Sequence, residues 1–398
     1  RAAYEDRLTG LLSRAGFLKA LGERLQRGDG HPASMVILLD VVALRDINEA
    51  YGYDFGDLLI QQIGARLRGA LDDQGLLARI GGDEFALFVP VDHDVGPRAR
   101  RDAIARAFET QFDVRGIAVS VAARFGYTRL RRADRAPEDL MHEAELAMFR
   151  TRPALGDLWH QYTTALDREA RARIQLTRAL REGLERDEFQ LHFQPKVDLA
   201  TGRVLACEAL IRWNHPERGF LLPGRFMPVA EQSQLMGPIG AWVLNEACRS
   251  LRAWIDDGLD VVRVAVNVSV VQLTLGDFPD KVRAALSEHG LKPDALTLEI
   301  TESAFEKHAE ALQAQLDELH AMGVRLALDD FGTGYSSLLY LQRYPFDEIK
   351  VDKGFVQRMT TEPFSHELVA TVVGLAGALG ATAVAEGVET PAERDALM

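Results

Sequence analysis

The sequence predicts an α+β unit with helices on one face of its sheet, followed by βα repeats that build a parallel sheet. Length is the first reason: 398 residues are enough for two or three domains. The second is a pair of apolar runs, Leu76 to Ile80 and Phe85 to Val89, separated by Gly81-Gly-Asp-Glu84. That pattern reads as a β-hairpin with two carboxylates at its tip. The third is that apolar strand-like runs alternate with helical patterns from Phe189 onward, and seven of those runs end in acids, amides or a lysine.

Composition narrows the function. A hydrophobic content of 47% with 26% charged residues is ordinary for a core-forming protein. A net charge of −13 argues against a general nucleic-acid surface, so no nucleic-acid polymer is expected as a partner. A polyanionic small ligand must then be held by metal ions or by a few local Arg and Lys residues. Cys207 and Cys248 form no CxxC pair and are expected as reduced, buried thiols in a cytoplasmic protein. No apolar run approaches the roughly 18 residues of a membrane span, and no signal peptide is present. The chain begins at Arg1 rather than Met, which predicts preceding sequence, with upstream sensory or membrane segments as candidates.

In the first half, Asp6-Arg-Leu-Thr-Gly10 reads as a capped turn before a helix around Phe17 to Leu25. Ser34 to Leu39 is an apolar, β-branched strand ending at Asp40. A helix follows with Leu44, Ile47 and Asn48 at helical spacing, and the Gly52 to Gly56 loop leads into another through Leu58, Ile63 and Leu67. Beyond the hairpin, a helix (Arg98 to Phe112), a strand (Gly116 to Thr128) and a helix (Pro137 to Phe149) complete the unit. Asp40 and Asp83, brought together on neighbouring strands, would offer oxygen ligands to a divalent cation. On composition alone, the Gly-Gly-Asp stretch is also an ordinary solvated turn.

Gly81-Gly-Asp-Glu-Phe85 resembles the signature of GGDEF domains, the diguanylate cyclases that join two GTP molecules into cyclic di-GMP. Asp6-x-Leu-Thr-Gly-Leu11 and the series Asp40, Asn48, Asp57 fall where that family places its motifs. Over residues 1–156 the resemblance implies a cyclase-like palm, with one or two metal ions at Asp40 and Asp83 alongside GTP. It further implies guanine contacts from Asn48 and Asp57 and a catalytic role for Glu84. Several positions depart from the pattern. The family's Asp-x-Asp-x-Phe-Lys is Asp40-Val-Val-Ala-Leu-Arg45 here, its Asn-Asp is Asn48-Glu49, and its Gly-His is Gly52-Tyr53. The Lys and Arg expected after the last helix appear as Arg152 and Gly156, and the Arg-x-x-Asp of product inhibition appears as Asp72-Asp-Gln-Gly75. These changes weaken the cyclase reading, leave GTP binding, and remove the expectation of product inhibition.

Asp157 to Glu188 reads as helical throughout, with Leu158, Tyr162, Leu166, Ile174, Leu180 and Leu184 near one stripe. Residues 157–175 are read as a linker helix, either transmitting motion or serving as a rigid spacer. Next come the seven runs. Leu191-His-Phe193 precedes Gln194-Pro195, Val204 to Cys207 precedes Glu208, and Val261 to Val266 precedes Asn267. Leu296 to Leu298 precedes Glu299, Leu326 to Leu328 precedes Asp329-Asp330, Glu348-Ile349 flanks Lys350, and Ala383 to Ala385 precedes Glu386. In a (β/α)₈ barrel such strand ends converge on the active face. One strand-end acid is usually a helix cap, and Asp329-Asp330 alone also fits an Asx turn before an N-cap. Five acids, one amide and one lysine converging call for cations. Gly332, Thr333 and Gly334 after the paired acids read as a glycine-hinged rim. The donors are carboxylate and amide oxygens without a His-x-x-x-His, so Mg²⁺ or Mn²⁺ is expected rather than zinc. Two such ions suit in-line attack on a phosphodiester. His192 and His215 are read as structural.

Glu208-Ala-Leu210 within Glu-x-Leu-x-Arg212 resembles an EAL domain, a cyclic di-GMP phosphodiesterase on a TIM-like (β/α)₈ barrel. Asn267-Val-Ser269, Leu298-Glu-Ile-Thr-Glu-Ser303, Asp329-Asp-Phe-Gly-Thr-Gly-Tyr335, Lys350-Val-Asp352 and Glu386-Gly-Val-Glu389 extend the match across residues 176–398. The resemblance implies that Glu208, Asn267, Glu299 and Asp329 bind one metal. Asp330 and Asp329 would reach a second, with Glu386 in its shell. Lys350 would hold the nucleophilic water, forming the catalytic set with Glu386 and Glu208. Arg212 and Gln194 would contact substrate, and Glu302 would pin the Asp330–Ser336 loop. The family continues to a Gln-Gly-Tyr segment on the last strand, whereas this chain stops at Met398, so an open sheet edge is expected. The resulting expectation is metal-dependent hydrolysis of cyclic di-GMP to pGpG by the second half, with the first half as a GTP-binding regulator in a homodimer. The alternatives are a bifunctional cyclase and phosphodiesterase, or an inactive cyclic di-GMP receptor.

Overall fold

Strand β1 (Met35–Val41) is buried at every residue, and the first sheet is built around it. The computed structural model describes residues 4–27, 33–71, 73, 75–91, 96–130, 135–151, 157–259, 263–332, 341 and 343–398, with 306–311 described as backbone. Around β1, strands β2 (Leu76–Gly81), β3 (Glu84–Val89), β6 (Ala123–Arg129) and β7 (Trp159–Gln161) form a five-stranded sheet in the order β2-β3-β1-β6-β7. The expected hairpin is β2 and β3, paired antiparallel across Gly82-Asp83. Two short strands, β4 (Phe112–Val114) and β5 (Ile117–Val119), form a separate hairpin, so the run expected as one strand from Gly116 to Thr128 is broken into β5 and β6.

Helices cover both faces of this sheet rather than one. Met35, Ile37 and Leu39 join a core with Phe55, Leu59 and Ile63, while Val36 and Leu38 join another with Phe17, Leu140 and Met141. The reason is in β1 itself, an unbroken apolar run that must be covered on both sides. Residues 157–163 also differ from expectation. They are not helical: β7 pairs parallel with β6, and Trp159 stacks on Phe125 with ring centroids 4.1 Å apart. The helix begins only at Thr164 and runs to Glu185.

The chain divides into two units, Arg1–Ala172 and Arg173–Met398. In the second, six strands run parallel: β9 (Val204–His215), β11 (Val264–Asn267), β12 (Leu296–Thr301), β13 (Arg325–Phe331), β14 (Glu348–Val351) and β15 (Thr382–Ala385). Helices Met236–Asp256, Phe278–Glu288, Glu302–Met322 and Pro363–Leu379 alternate with them as βα repeats require. One part departs from the all-parallel expectation. β8 (Phe189–Val197) and β10 (Gly219–Leu221) both pair antiparallel with β9. A short connection, residues 198–203, joins β8 to β9, and short connections permit only antiparallel return. The sheet runs β10-β9-β11-β12-β13-β14-β15 with β8 on β9, and among the described residues β15 pairs only with β14. Cys207 and Cys248 are buried and free. Among the described residues no helix is long and apolar enough to cross a membrane.

Candidate functional site

Lys350, third residue of β14, is the centre of the second unit's polar interior. It is 1% exposed, yet its ammonium lies 2.6 Å from Glu386 Oε1, 2.7 Å from Glu299 Oε2, 3.1 Å from Asp329 Oδ1 and 3.4 Å from Glu208 Oε2. These acids come from four other places along the sheet, on β12, β13, β9 and just past β15. Parallel strands bring such side chains together because successive strands enter the sheet in the same direction. Burial alone would drive Lys350 to neutrality, but Glu299, Asp329, Glu208 and Glu386 raise its pKa, so it stays charged.

The acids outnumber the cations, and the excess appears in their titration. Burial pushes the Glu208 carboxyl up to about 7, helped by Glu299, against the opposing pull of Lys350 and the Asn267 amide. Burial, then Asp329, raises Asp330, and burial with Asp329 also raises Glu386 against Lys350. Glu299 goes the other way: burial would raise it, but Lys350 and Lys196 together hold it below its usual range. Asp329, Asp330 and Glu386 offer ligand oxygens that all lie within 4.8 Å of one another. Uncompensated charge and hard oxygen donors fit a divalent cation such as Mg²⁺ or Mn²⁺.

The other residues expected at this site are placed as follows. Asn267 Nδ2 donates to Glu208 Oε1 at 2.8 Å. Glu302, 2% exposed at the start of its helix, accepts the Gly332 N–H at 3.0 Å, while Thr333 to Ser336 lie outside the described residues. Asp330 has a left-handed φ of 55°, a conformation that costs a non-glycine residue, and its N–H donates to Asp329 Oδ1 at 2.9 Å. Gln194 is directly opposite Glu208 across the β8–β9 pair, and Gln190 is opposite Arg212. Opposite residues share a face, so Gln194 and Arg212 project on the Glu208 side of the sheet. Arg212 stands four residues from Glu208, roughly 13 Å along the strand. Its guanidinium donates to the Ile211 carbonyl at 2.9 Å. Glu208 and Arg212 both lie inside β9, which runs on to His215, rather than past a strand end. His215 accepts the N–H groups of Glu217 and Arg218 through Nδ1, a turn-forming role.

Sequence reading missed Lys196. Its ammonium donates to Glu299 Oε1 at 2.7 Å and to Glu348 Oε2 at 2.9 Å. The signal was period-two alternation, since Lys196 shares a face with Gln194 once 189–197 is read as one strand. Gln194, Lys196, Glu208, Lys350 and Glu386 line a cleft of about 1150 Å³, above the roughly 300–1,000 Å³ of common small-molecule pockets.

In the first unit, Asp40 is paired in register with Glu84 on β3 and with Arg124 on β6. Arg124 Nε donates to Asp40 Oδ2 at 2.5 Å. Burial and then Asp83 raise the Asp40 carboxyl, against Arg124; burial, Asp40 and Asp83 raise Glu84. Asn48 and exposed Asp57 sit on helices Leu44–Tyr51 and Tyr53–Gly69. The Asn48 side-chain oxygen is buried and unbonded, lying where a Cβ on Gly56 would come within 1.9 Å, so a larger residue at 56 would push the Asn48 amide aside. Arg45 is exposed and pairs with Glu49 at 2.8 Å. Arg152 and Gly156 lie outside the described residues.

Comparison with known proteins agrees with both halves. Residues 177–398 match the family model of the EAL domain, and residues 3–156 match that of the diguanylate cyclase GGDEF domain. The chain is 35% identical to the bifunctional diguanylate cyclase/cyclic di-GMP phosphodiesterase MucR of Pseudomonas aeruginosa, over 99% of this chain and 58% of that protein. It is 34% identical to the cyclic di-GMP phosphodiesterase NbdA of the same organism, over 98% of this chain and 50% of that protein. The chain thus spans about half the length of these relatives. The solved PaMucR phosphodiesterase in complex with c-di-GMP superposes with a TM-score of 0.54 at 46% identity, covering 56% of this chain and 90% of that one.

Proposed function

Since the chain belongs to the EAL family and carries a GGDEF domain ahead of its EAL domain, we propose that the second unit hydrolyses cyclic di-GMP to linear pGpG and that the first is a GTP-binding regulator. The observation that carries this reading is the gathering of Glu208, Glu299, Asp329 and Glu386 on Lys350, with Asp330 beside them. Glu208, Asn267, Glu299 and Asp329 would hold one divalent ion, and Asp329 with Asp330 a second, near Glu386. When bound, Mg²⁺ or Mn²⁺ neutralises phosphate charge and lowers the pKa of the attacking water.

The chain's own residues do the rest. Lys350, kept charged by four acids, holds and orients the water, and Glu386 beside it positions the ammonium. Arg212 is suited to a phosphate oxygen because a guanidinium can bond it bidentately, and Gln194 offers an amide next to Glu208. Water oxygen attacks phosphorus, the phosphorus–O3′ bond breaks, and the departing 3′-oxygen takes a proton. Glu302 fixes the turn after Asp330 through the Gly332 N–H. The full chain, incubated separately with cyclic di-GMP and with GTP in Mg²⁺ or Mn²⁺, followed by product chromatography, tests the reading. pGpG from the first and no cyclic product from the second is the expected result. Cyclic di-GMP made from GTP would establish the bifunctional alternative, and tight binding without cleavage the receptor.

A further inference from the structure

The first unit's acidic face has a cation of its own. β1 lies between β3 and β6, and Asp40 is directly opposite Glu84 on one side and Arg124 on the other. Directly opposite residues in antiparallel pairs project to one face, so two acids and a guanidinium meet there, with Asp83 arriving from the hairpin tip. Arg124 places two nitrogens, Nε and one terminal nitrogen, each 2.5 Å from the same Asp40 oxygen, Oδ2. The pair is partly covered, with 12% of the Asp40 side chain and 31% of the Arg124 side chain exposed, and the Phe149 ring centre lies 6.0 Å from the guanidinium. A charge-assisted pair sheltered in this way resists displacement better than an open surface pair.

A hard divalent ion needs several oxygens at once. Here one Asp40 oxygen is taken by Arg124, and Val42 stands where the family resemblance places a second aspartate. Among the described residues, three acidic side chains bring oxygens within 4.8 Å of one another at Asp329, Asp330 and Glu386, and no such trio of side chains forms around Asp40. The second unit keeps a converging trio despite its buried lysine; the first does not.

We propose that Arg124 is the resident cation of this face and keeps divalent ions off Asp40 and Asp83, so that the first unit is not a metal site. The assignment is independent of the phosphodiesterase reading. If that reading holds, it also explains why GTP would be held rather than cyclised.

Mn²⁺ titration of the full chain, read as loss of the free-ion EPR signal, tests the assignment. Asp40→Asn, which keeps an acceptor for Arg124, is expected to leave the number of Mn²⁺ ions bound per chain unchanged. Arg124→Ala and the length-matched Arg124→Met are each expected to gain one ion per chain, at least about tenfold tighter than any binding at that face in the parent. Adding Asp40→Asn to either should remove the gain. Sites in the second unit are common to all these chains and cancel in the comparison. A parent that loses an ion on Asp40→Asn overturns the proposal, as does an Arg124 variant that melts like the parent and gains none.

Discussion

At the scale of single residues, the second unit depends on balancing carboxylates that would otherwise repel one another. Glu208→Ala or Asp329→Ala removes one proposed metal ligand. The expected fall in turnover exceeds the roughly 10–100-fold typical of losing an outer partner of a metal site, with the thermal melt retained. Product chromatography checks it, and cleavage near the parent rate in both variants would refute the assignment. Calcium should replace magnesium poorly, since its longer bonds and higher coordination do not suit a tight pair of sites; equal turnover in the two ions would count against the mechanism. The metal-free chain offers a test through pH. Burial and Glu299 raise Glu208 from 4.5 to about 7, so the folded chain binds this proton more tightly than the unfolded one. The associated stability is present below about pH 4.5 and is lost as pH rises through about 7, on the order of 3 kcal/mol. Asp330 and Glu386, also raised, act in the same direction. In EDTA, Tm should therefore fall from pH 5 to pH 7.5, and Glu208→Gln should flatten the fall. An unaltered slope in that variant would show that Glu208 is not its source. The acids themselves were legible because each follows an apolar run. Lys196 and Arg124 were not, because their partners Glu299 and Asp40 lie 103 and 84 residues away along the chain.

At the scale of elements, the sequence supported the repeats and misjudged their borders. The βα alternation from β11 to β15 was readable because each strand is a short apolar run followed by a helix-period segment. The antiparallel β8 was not, since period-two patterning marks a strand without giving its direction. Residues 157–163 were read as helix because Leu158, Tyr162 and Leu166 also fit a helical stripe, and only tertiary pairing with β6 decides for strand. That pairing gives a test. Trp159 stacks on Phe125 with planes 3° apart and also meets Tyr127 edge-on at 6.1 Å. Trp159→Ala is expected to destabilise the first unit by about 2–3 kcal/mol, seen as a lower midpoint in denaturant. Were residues 157–163 only a linker, the midpoint would not move. The same logic explains the two-sided packing of β1: an apolar run with no alternation asks for cover on both faces, although the sequence does not say which helices supply it.

For the whole molecule, the question is whether the first unit, proposed to bind GTP, governs the other. Each unit has its own hydrophobic core, and the helix Thr164–Glu185 begins in one and ends in the other. A continuous helix is a means by which a change in one unit can reach the next, but it transmits only a difference in binding between two states. The prediction is that GTP raises the rate of cyclic di-GMP hydrolysis without being consumed quickly. The pairing of Asp40 with Arg124 and the Val42 in place of an acid motivate this prediction, since both disfavour turnover more directly than they disfavour nucleotide binding. A tenfold preference of GTP for the active arrangement corresponds to about 1.4 kcal/mol of coupling, within the ordinary range for such effects. Hydrolysis of saturating cyclic di-GMP should therefore rise with GTP in the parent and stay flat in Asn48→Ala, whose side chain is packed against Gly56 at the proposed guanine site. By reciprocity, a non-hydrolysed cyclic di-GMP analogue should tighten GTP binding by the same factor by which GTP tightens binding of the analogue. GTP that binds the parent measurably and leaves both the rate and the analogue affinity unchanged would mean that the helix joins two independent modules.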